Sequence, residues 1–107
     1  MIIGVAGPYS ADIEEKRKRN LEAMNIAAAK LLEKGHVPIV GVNAALPVVD
    51  RYNGDKYKAI MDISLAVIDK CEGLLLLNES PGANRERDLV ASKGFPIFRS
   101  LDEVPSI

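Results

Sequence analysis

Glu86 is the residue in this sequence whose type and position best suit catalysis. It follows Ser80 and Pro81, which have the residue types of a helix N-cap and a first helical residue. Gly82 would let a ligand approach the backbone closely. The positive end of a helix favours an ionised carboxylate, and such a carboxylate can attack an anomeric carbon. The alternative is that Glu86 only balances the helix dipole and pairs with a basic side chain.

The apolar run at residues 1–6 predicts a buried parallel strand. A polar loop follows this strand, as another one precedes Glu86. The loop reads Gly7-Pro8-Tyr9-Ser10. After such a strand, free backbone N–H groups and a hydroxyl can bind a phosphate or a sugar hydroxyl. An ordinary turn is the alternative, because the sequence contains neither a P-loop nor a Gly-x-Gly-x-x-Gly pattern.

Arg17 and Asn20 lie three residues apart in the helix predicted after this loop. A capping box at residues 12–15 predicts the start of that helix, and Gly35 predicts its end. Its buried face is predicted from apolar residues at helical spacing: Leu21, Met24, Ala27, Ala28, Leu31 and Leu32. Because Arg17 and Asn20 are one to two turns from the start, we expect them to steady either a phosphate or the loop itself.

The rest of the chain alternates strands with helices. Further strands are predicted at residues 36–40, 74–77 and 96–98, further helices at 57–71 and 81–93, and a final turn at 101–104. Pro38 predicts an edge position for the second strand, because proline cannot donate to a sheet ladder. Residues 41–55 are rich in glycine, asparagine and proline and show no sustained period, so they predict a long loop, with a helical turn inside it as an option.

This order predicts a single domain over residues 1–107. Its fold class is α/β, with a three-layer, Rossmann-like (flavodoxin-like) parallel sheet of four to five strands flanked by helices. If the second strand lies outside the first and the third on its other side, the strand order reverses between strands one and three. Both polar loops then open into the crevice at that point, where ligands of such sheets bind.

The composition excludes several classes of function. Hydrophobic residues make up 48% and charged residues 27% of the 107 residues, which is typical of a globular domain rather than a disordered one. The net charge of -1 provides no general attraction for nucleic-acid polymers or anionic membranes. Cys71 is the only cysteine, so no intramolecular disulfide can form, and we expect a cytoplasmic protein.

Other reactive residue types carry weaker signals. With one histidine, His36, and one cysteine, the sequence predicts no metal site of His and Cys ligands, and we expect no cofactor. His36 follows Gly35 at a predicted strand start and is interpreted as a structural residue, and Cys71 as a core residue. Tyr52 and Tyr57 border the predicted long loop, where they would either stack on a base or form a lid contact.

Several of these segments, in this order, resemble the nucleoside 2-deoxyribosyltransferase-like superfamily. They are Gly7-Pro8-Tyr9-Ser10, Arg17, Asn20, Gly35-His36, residues 68–73 and Ser80-x-Gly82-x-x-x-Glu86. The ending at residues 96–105 is similar to that of small uncharacterised members. The resemblance implies cleavage or transfer at the N-glycosidic bond of deoxynucleosides or their 5′-monophosphates. It also implies a homo-oligomer, a dimer or tetramer, in which a neighbouring subunit completes the pocket.

The resemblance also implies roles for individual residues. Glu86 falls at the position of the nucleophilic glutamate, which would form a covalent glycosyl-enzyme that a second base or water then opens with retained configuration. Tyr9 would orient Glu86 or the sugar. The sugar or phosphate pocket would contain Gly7, Pro8, Ser10, Arg17, Asn20, Ser64, Ser80 and Gly82.

Ser64 is a departure from the pattern of the active members, which carry an aspartate at this place on the second predicted helix. A serine can bind a sugar hydroxyl but does not readily protonate a departing base. Asp62, Asp88 or the acidity of the substrate would then fill that role.

The alternative function is a non-catalytic nucleotide-binding or sensing domain. A receiver-like signalling domain is disfavoured, because the loop after the first strand holds none of the aspartates that such domains need.

Overall fold

A parallel sheet of four strands forms the centre of the molecule in the computed structural model, which describes residues 1–107. The strands are β1 (Ile2–Ala6), β2 (Val37–Ile39), β3 (Gly73–Leu76) and β4 (Ile97–Phe98). Their order in the sheet is β2-β1-β3-β4, with every neighbouring pair parallel. This confirms the predicted α/β fold class, and the strand order reverses between β1 and β3 as expected.

Four helices cover the two faces of the sheet. They are α1 (Glu14–Glu33), α2 (Gly41–Val49), α3 (Lys56–Ile68) and α4 (Pro81–Ser92), and a short 3-10 turn follows at Leu101–Glu103. Alternate residues of β1 contribute to two separate cores. Ile3 and Val5 pack with residues of α1 and α2, whereas Ala6 packs with residues of α3 and α4. The result is the three-layer, Rossmann-like arrangement that the sequence predicts. No helix combines the length and the apolarity needed to cross a bilayer.

The second strand occupies an edge of the sheet, which confirms the prediction from Pro38. The backbone N–H of Val37 donates to the carbonyl oxygen of Met1 at 2.9 Å. Because successive residues of a strand point their N–H groups to opposite sides, the nitrogen of Pro38 faces away from β1. The free edge therefore lacks one donor, which disfavours pairing with a further strand.

The prediction of a loop at residues 41–55 is wrong for the first nine residues, which form α2. Val42, Ala45 and Val49 are buried on one side of this helix, and that burial outweighs the unfavourable glycine and proline. Pro47 lies inside the helix, and the carbonyl oxygen of Pro47 accepts a hydrogen bond from the Arg51 guanidinium at 2.6 Å. Only residues 50–55 remain as the connection to α3.

The first helix also differs from the prediction at its start. The N-cap is Ile13, which has no side chain that can cap, and the capping box at residues 12–15 does not form. Asp12 instead makes an exposed ion pair with Lys16, at 3.7 Å. Leu32, predicted on the buried face, is 62% exposed because it points about 100° around the helix from the fully buried Leu31.

Candidate functional site

A cleft of about 230 Å³ opens at the carboxyl ends of β1 and β3, where the strand order reverses. The loops after both strands line it, together with one side of α3 and the first two turns of α4. The lining residues are Gly7, Pro8, Tyr9, Ser10, Val42, Tyr57, Ile60, Met61, Ser64, Ser80, Pro81, Gly82, Ala83 and Glu86. The structure thus brings together eight of the ten residues predicted for the site.

Glu86 reaches the cleft from the second turn of α4. The start of this helix is fixed by Ser80, whose Oγ accepts a hydrogen bond from the backbone N–H of Ala83 at 3.1 Å, and by Pro81 at the first helical position. The Glu86 side chain is only 6% exposed. No hydrogen bond or salt bridge reaches its carboxyl group, so the predicted alternative of pairing with a basic side chain does not occur.

Burial raises the pKa of Glu86 from 4.5 to about 7. The expectation of a carboxylate stabilised by the helix start is therefore wrong. A helix dipole acts mainly within the first turn, and Glu86 lies beyond it with no donor that compensates for the water it has lost. The nearby thiol of Cys71 is also buried, and its pKa is raised to about 11 by burial and, secondarily, by the charge of Glu86.

Ser64 contributes the second buried polar side chain of the cleft. It lies on α3 and is 1% exposed, and its hydroxyl has no hydrogen-bond partner. A serine in a helix usually donates to a carbonyl of the preceding turn, and a buried hydroxyl without a partner is rare. The walls of the cleft therefore carry a buried hydroxyl without a partner on α3 and an unpaired carboxyl group on α4.

Arg17 and Asn20 do not line the cleft but hold its first loop in place. Nδ2 of Asn20 donates to the carbonyl oxygen of Tyr9 at 3.1 Å, and Nη1 of Arg17 donates to that of Ala11 at 2.7 Å. Of the two roles predicted for these residues, the structure shows contacts to the loop. Arg17 also lines a neighbouring groove, which shares Tyr9, Ser10, Tyr57 and Ile60 with the cleft.

Besides Pro81 and Ala83 at the start of α4, three apolar residues of the cleft wall were not predicted as site residues. Ile60 and Met61 come from α3, and Val42 comes from the unpredicted α2. The spacing of Tyr57, Ile60 and Ser64 does indicate one helix face, but sequence alone does not distinguish a core face from a cleft face. Tyr57 lines the cleft, whereas Tyr52 lies over Gly54 in the connection before α3.

The other carboxylates considered as proton donors lie outside the cleft. Asp62 is exposed and pairs with Lys58 at 2.7 Å, and Asp88 is exposed and pairs with Arg87 at 3.0 Å. Glu86 is consequently the one carboxyl group among the lining residues. No group of three or more His, Cys, Asp or Glu side chains is arranged to hold a metal ion.

His36 is a structural residue, as the sequence predicts. Its ring is buried, with Nδ1 at 3.2 Å from the backbone nitrogen of Met1 and Nε2 at 2.6 Å from the carbonyl oxygen of Pro105. The ring thus joins the start of β1 to the segment after the 3-10 turn. It lies outside the cleft.

Comparison with known proteins places this site within a family. A family model described as "Domain of unknown function (DUF4406)" matches residues 1–99. No match to a curated protein was found. The matched range contains the whole sheet, the four helices and every residue that lines the cleft. Because the match covers nearly the entire chain, the protein belongs to the DUF4406 family.

Proposed function

We propose that the protein is an N-glycosidase or deoxyribosyltransferase that acts on the N-glycosidic bond of (deoxy)nucleosides or their 5′-monophosphates, with Glu86 as nucleophile. The observation that carries this proposal is the buried, unpaired Glu86 carboxyl group in a cleft at the switch point of a parallel sheet. The resemblance of the Tyr9 and Ser80 loops to the nucleoside 2-deoxyribosyltransferase-like superfamily supports the choice of substrate.

The reaction would proceed in two displacements. The ionised Glu86 oxygen attacks C1′ of the sugar while the C1′–N bond breaks, and the base departs with the bonding electron pair and takes a proton from water. A water molecule or a second base then attacks C1′ and gives up a proton to the hydroxide left by the first step, the C1′–O bond to Glu86 breaks, and the carboxylate is restored. Two inversions give net retention of configuration at C1′.

The buried position of Glu86 favours the first displacement. A carboxylate that has lost its water and gained no donor is destabilised, and formation of a covalent ester removes the buried charge. The positive charge that develops on the sugar ring in the transition state is attracted to the same carboxylate across a largely apolar cleft. Tyr9 lines the cleft together with Glu86 and is proposed to orient the sugar.

A neighbouring subunit is proposed to complete the pocket. The cleft volume of about 230 Å³ is below the ~300 Å³ at which small-molecule sites begin, which supports a pocket that a second chain completes. Analytical ultracentrifugation tests this proposal, with a dimer or tetramer expected at micromolar concentration. A monomer with full activity would contradict it.

Release of free base tests the enzymatic proposal. The protein is incubated with the deoxynucleosides and ribonucleosides of each base and with their 5′-monophosphates, and base is quantified by chromatography. Glu86→Gln should abolish release, whereas Glu22→Gln, on the exposed side of α1, should leave it unchanged. Intact-protein mass measured during turnover should show a glycosyl adduct that Glu86→Gln does not form. Absence of release at high protein concentration contradicts the proposal.

A second candidate function is nucleotide binding without turnover. The observation that favours it is Ser64, since the cleft holds no second carboxyl group that could protonate a departing base. Calorimetry with the same compounds separates the two candidates. Saturable binding without base release supports the binding function, and base release that depends on Glu86 excludes it.

A further inference from the structure

Asn53 and Gly54 lie in the connection between α2 and α3, and both residues are exposed. When glycine follows asparagine, the main-chain nitrogen of the glycine can attack the side-chain amide with little obstruction, because glycine has no side chain. The chain contains six asparagines, and Asn53 is the only one that a glycine follows. The sequence thus identifies one peptide unit that is suited to this reaction.

The main chain is fixed by hydrogen bonds on both sides of this pair but not within it. Before the pair, the N–H of Tyr52 donates to a carbonyl oxygen of the last turn of α2 at 3.0 Å. After it, Oδ1 of Asp55 accepts from the N–H of Lys58 at 3.0 Å and so caps α3. No hydrogen bond holds the Asn53 amide or the Gly54 N–H. The two residues are therefore free to rotate until the Gly54 nitrogen reaches Cγ of Asn53.

The other five asparagines are held by the fold. Four of them lie within helices, where each backbone N–H points along the helix axis and away from the preceding side chain: Asn20, Asn25, Asn43 and Asn84. The fifth, Asn78, is followed by Glu79, whose side chain obstructs the approach. The N–H of Glu79 also donates to Oδ1 of Asn78 at 2.9 Å. Structure and sequence therefore single out the same asparagine.

The reaction needs only water as co-reactant. The Gly54 nitrogen loses its proton to hydroxide and attacks Cγ of Asn53, the Cγ–Nδ2 bond breaks, and the side-chain nitrogen takes a proton from water and leaves as ammonia. The product is a five-membered cyclic imide. Water then opens the imide at one of its two carbonyl carbons. Breaking the bond from the Gly54 nitrogen to Cγ gives aspartate, and breaking its bond to the main-chain carbonyl carbon gives isoaspartate.

We propose that Asn53 is a site of spontaneous deamidation, and that its isoaspartate product releases the cap at the start of α3. Isoaspartate adds one carbon–carbon bond, about 1.5 Å, to the main chain between two ends that hydrogen bonds fix. The cap at Asp55 is the weaker of these ends, because an exposed side chain makes it. Aspartate keeps the length of the main chain and leaves the cap in place. Tyr57 in the first turn of α3 lines the cleft, so the modification lies beside a wall of the site.

Tryptic peptide mapping tests for the modification. The full chain is kept at pH 8 and 37 °C for several weeks and then digested. Cleavage after Arg51 and Lys56 releases residues 52–56, a peptide in which Asn53 is the one asparagine. Most of this peptide should be converted into two products of equal mass that chromatography separates, while the other five asparagines remain intact. Conversion of Asn53 that is no faster than that of the other asparagines overturns the proposal.

Gly54→Ala is the control for the reaction. A Cβ atom at position 54 would contact only the end of the exposed Tyr52 side chain, which can move away, and it would obstruct the attack on Asn53. Conversion should therefore be strongly slowed in this variant, and its Tm should not change during the incubation. Conversion at the parent rate overturns the proposed route through the Gly54 nitrogen.

Thermal unfolding tests the effect on the cap. The parent protein, once converted mostly to isoaspartate, should show a Tm lower by about 4–8 °C, as expected for one lost cap. Asn53→Asp adds the same charge without lengthening the main chain and should change Tm by less than about 2 °C. Asp55→Ala removes the cap directly, and the same incubation should lower its Tm no further. An isoaspartate form as stable as Asn53→Asp, or an Asn53→Asp variant as unstable as the isoaspartate form, overturns the effect on the cap.

Discussion

Gly41 and Ser64 are in such close contact that a side chain at position 41 has no space. A Cβ atom built on Gly41 would lie 3.0 Å from both Cα and Cβ of Ser64 and 3.2 Å from its carbonyl oxygen. The start of α2 is therefore packed directly on the backbone of α3 at the residue that carries the unsatisfied hydroxyl. This contact positions Ser64 at the cleft and ties the wall of the site to the unpredicted helix.

Gly41→Ala should destabilise the protein by about 1–3 kcal/mol, because a methyl group would clash with backbone that cannot rotate away. Urea denaturation measures the loss. Gly82→Ala is a matched control, since Gly82 also lies in the first turn of a helix. A Cβ atom built on Gly82 would lie 3.1 Å from Sδ of Met61, a flexible side chain that can move away. The loss in Gly82→Ala should be much smaller. Equal losses in the two variants would mean that the helix start, and not the contact with Ser64, determines the effect.

Ser64→Ala should have opposite effects on stability and on binding. Removing a buried hydroxyl without a partner is expected to increase the free energy of unfolding by about 1 kcal/mol. The same change should weaken nucleoside binding up to about tenfold, because we propose that the bound ligand forms a hydrogen bond with Oγ, which has no partner in the free protein. Denaturation and calorimetry measure the two effects.

The exposed Ser92 provides the control for Ser64. Its Oγ donates to the carbonyl oxygen of Leu89 at 2.7 Å near the end of α4, away from the cleft. Ser92→Ala should change the free energy of unfolding by less than about 0.5 kcal/mol and leave binding unchanged. A large destabilisation by Ser64→Ala would show that its hydroxyl is satisfied within the protein, contrary to the structure.

The strands and the crevice could be predicted because their signals are local. Short apolar runs bounded by glycine and proline indicate buried parallel strands, and the order of elements restricts the topology. The Ser80-Pro81 helix start was equally local and is confirmed. The start of α1 was predicted incorrectly. Residues 12–15 match a capping box in sequence, but the N-cap of the helix is Ile13.

The predictions that were wrong concern features that depend on contacts between distant segments. Glycine and proline in residues 41–49 indicate a loop, and only packing against the sheet and α3 makes this segment helical. The pKa of Glu86 was misjudged for the same reason. The sequence shows its position in a helix but not the apolar walls that remove its water. The bond from Arg17 to Ala11 likewise becomes visible only when the loop is folded.

Ile13→Ser should stabilise the protein by about 1 kcal/mol. Ile13 has the extended backbone of an N-cap residue, and serine can accept a hydrogen bond from an N–H of the first turn where isoleucine cannot. Asp12→Ala is the control, since Asp12 contributes only an exposed pair with Lys16 and should change stability by at most about 0.5 kcal/mol. If Asp12→Ala lowers the free energy of unfolding by more than this and Ile13→Ser does not raise it, the capping box forms in solution and the helix begins earlier.

Stability should fall between about pH 4.5 and 7 because of Glu86. Its pKa is about 7 in the folded protein and 4.5 ordinarily, so the folded state binds more protons in this window. The stabilising contribution is complete below about pH 4.5 and is lost as the pH rises through about 7. The difference between these two pKa values corresponds to about 3 kcal/mol as an upper limit. Urea denaturation across this range should show the loss in the parent protein but not in Glu86→Gln.

The proposed activity should change in the opposite direction over the same pH range. Attack on C1′ requires the ionised carboxylate, so base release should increase as the pH rises through about 7 and then level off. A rise in pH through about 7 thus lowers the free energy of unfolding and at the same time ionises the nucleophile, because the burial of Glu86 causes both effects. A rate that is highest below pH 5 would mean that the protonated group acts, and Glu86 would then be an acid rather than a nucleophile.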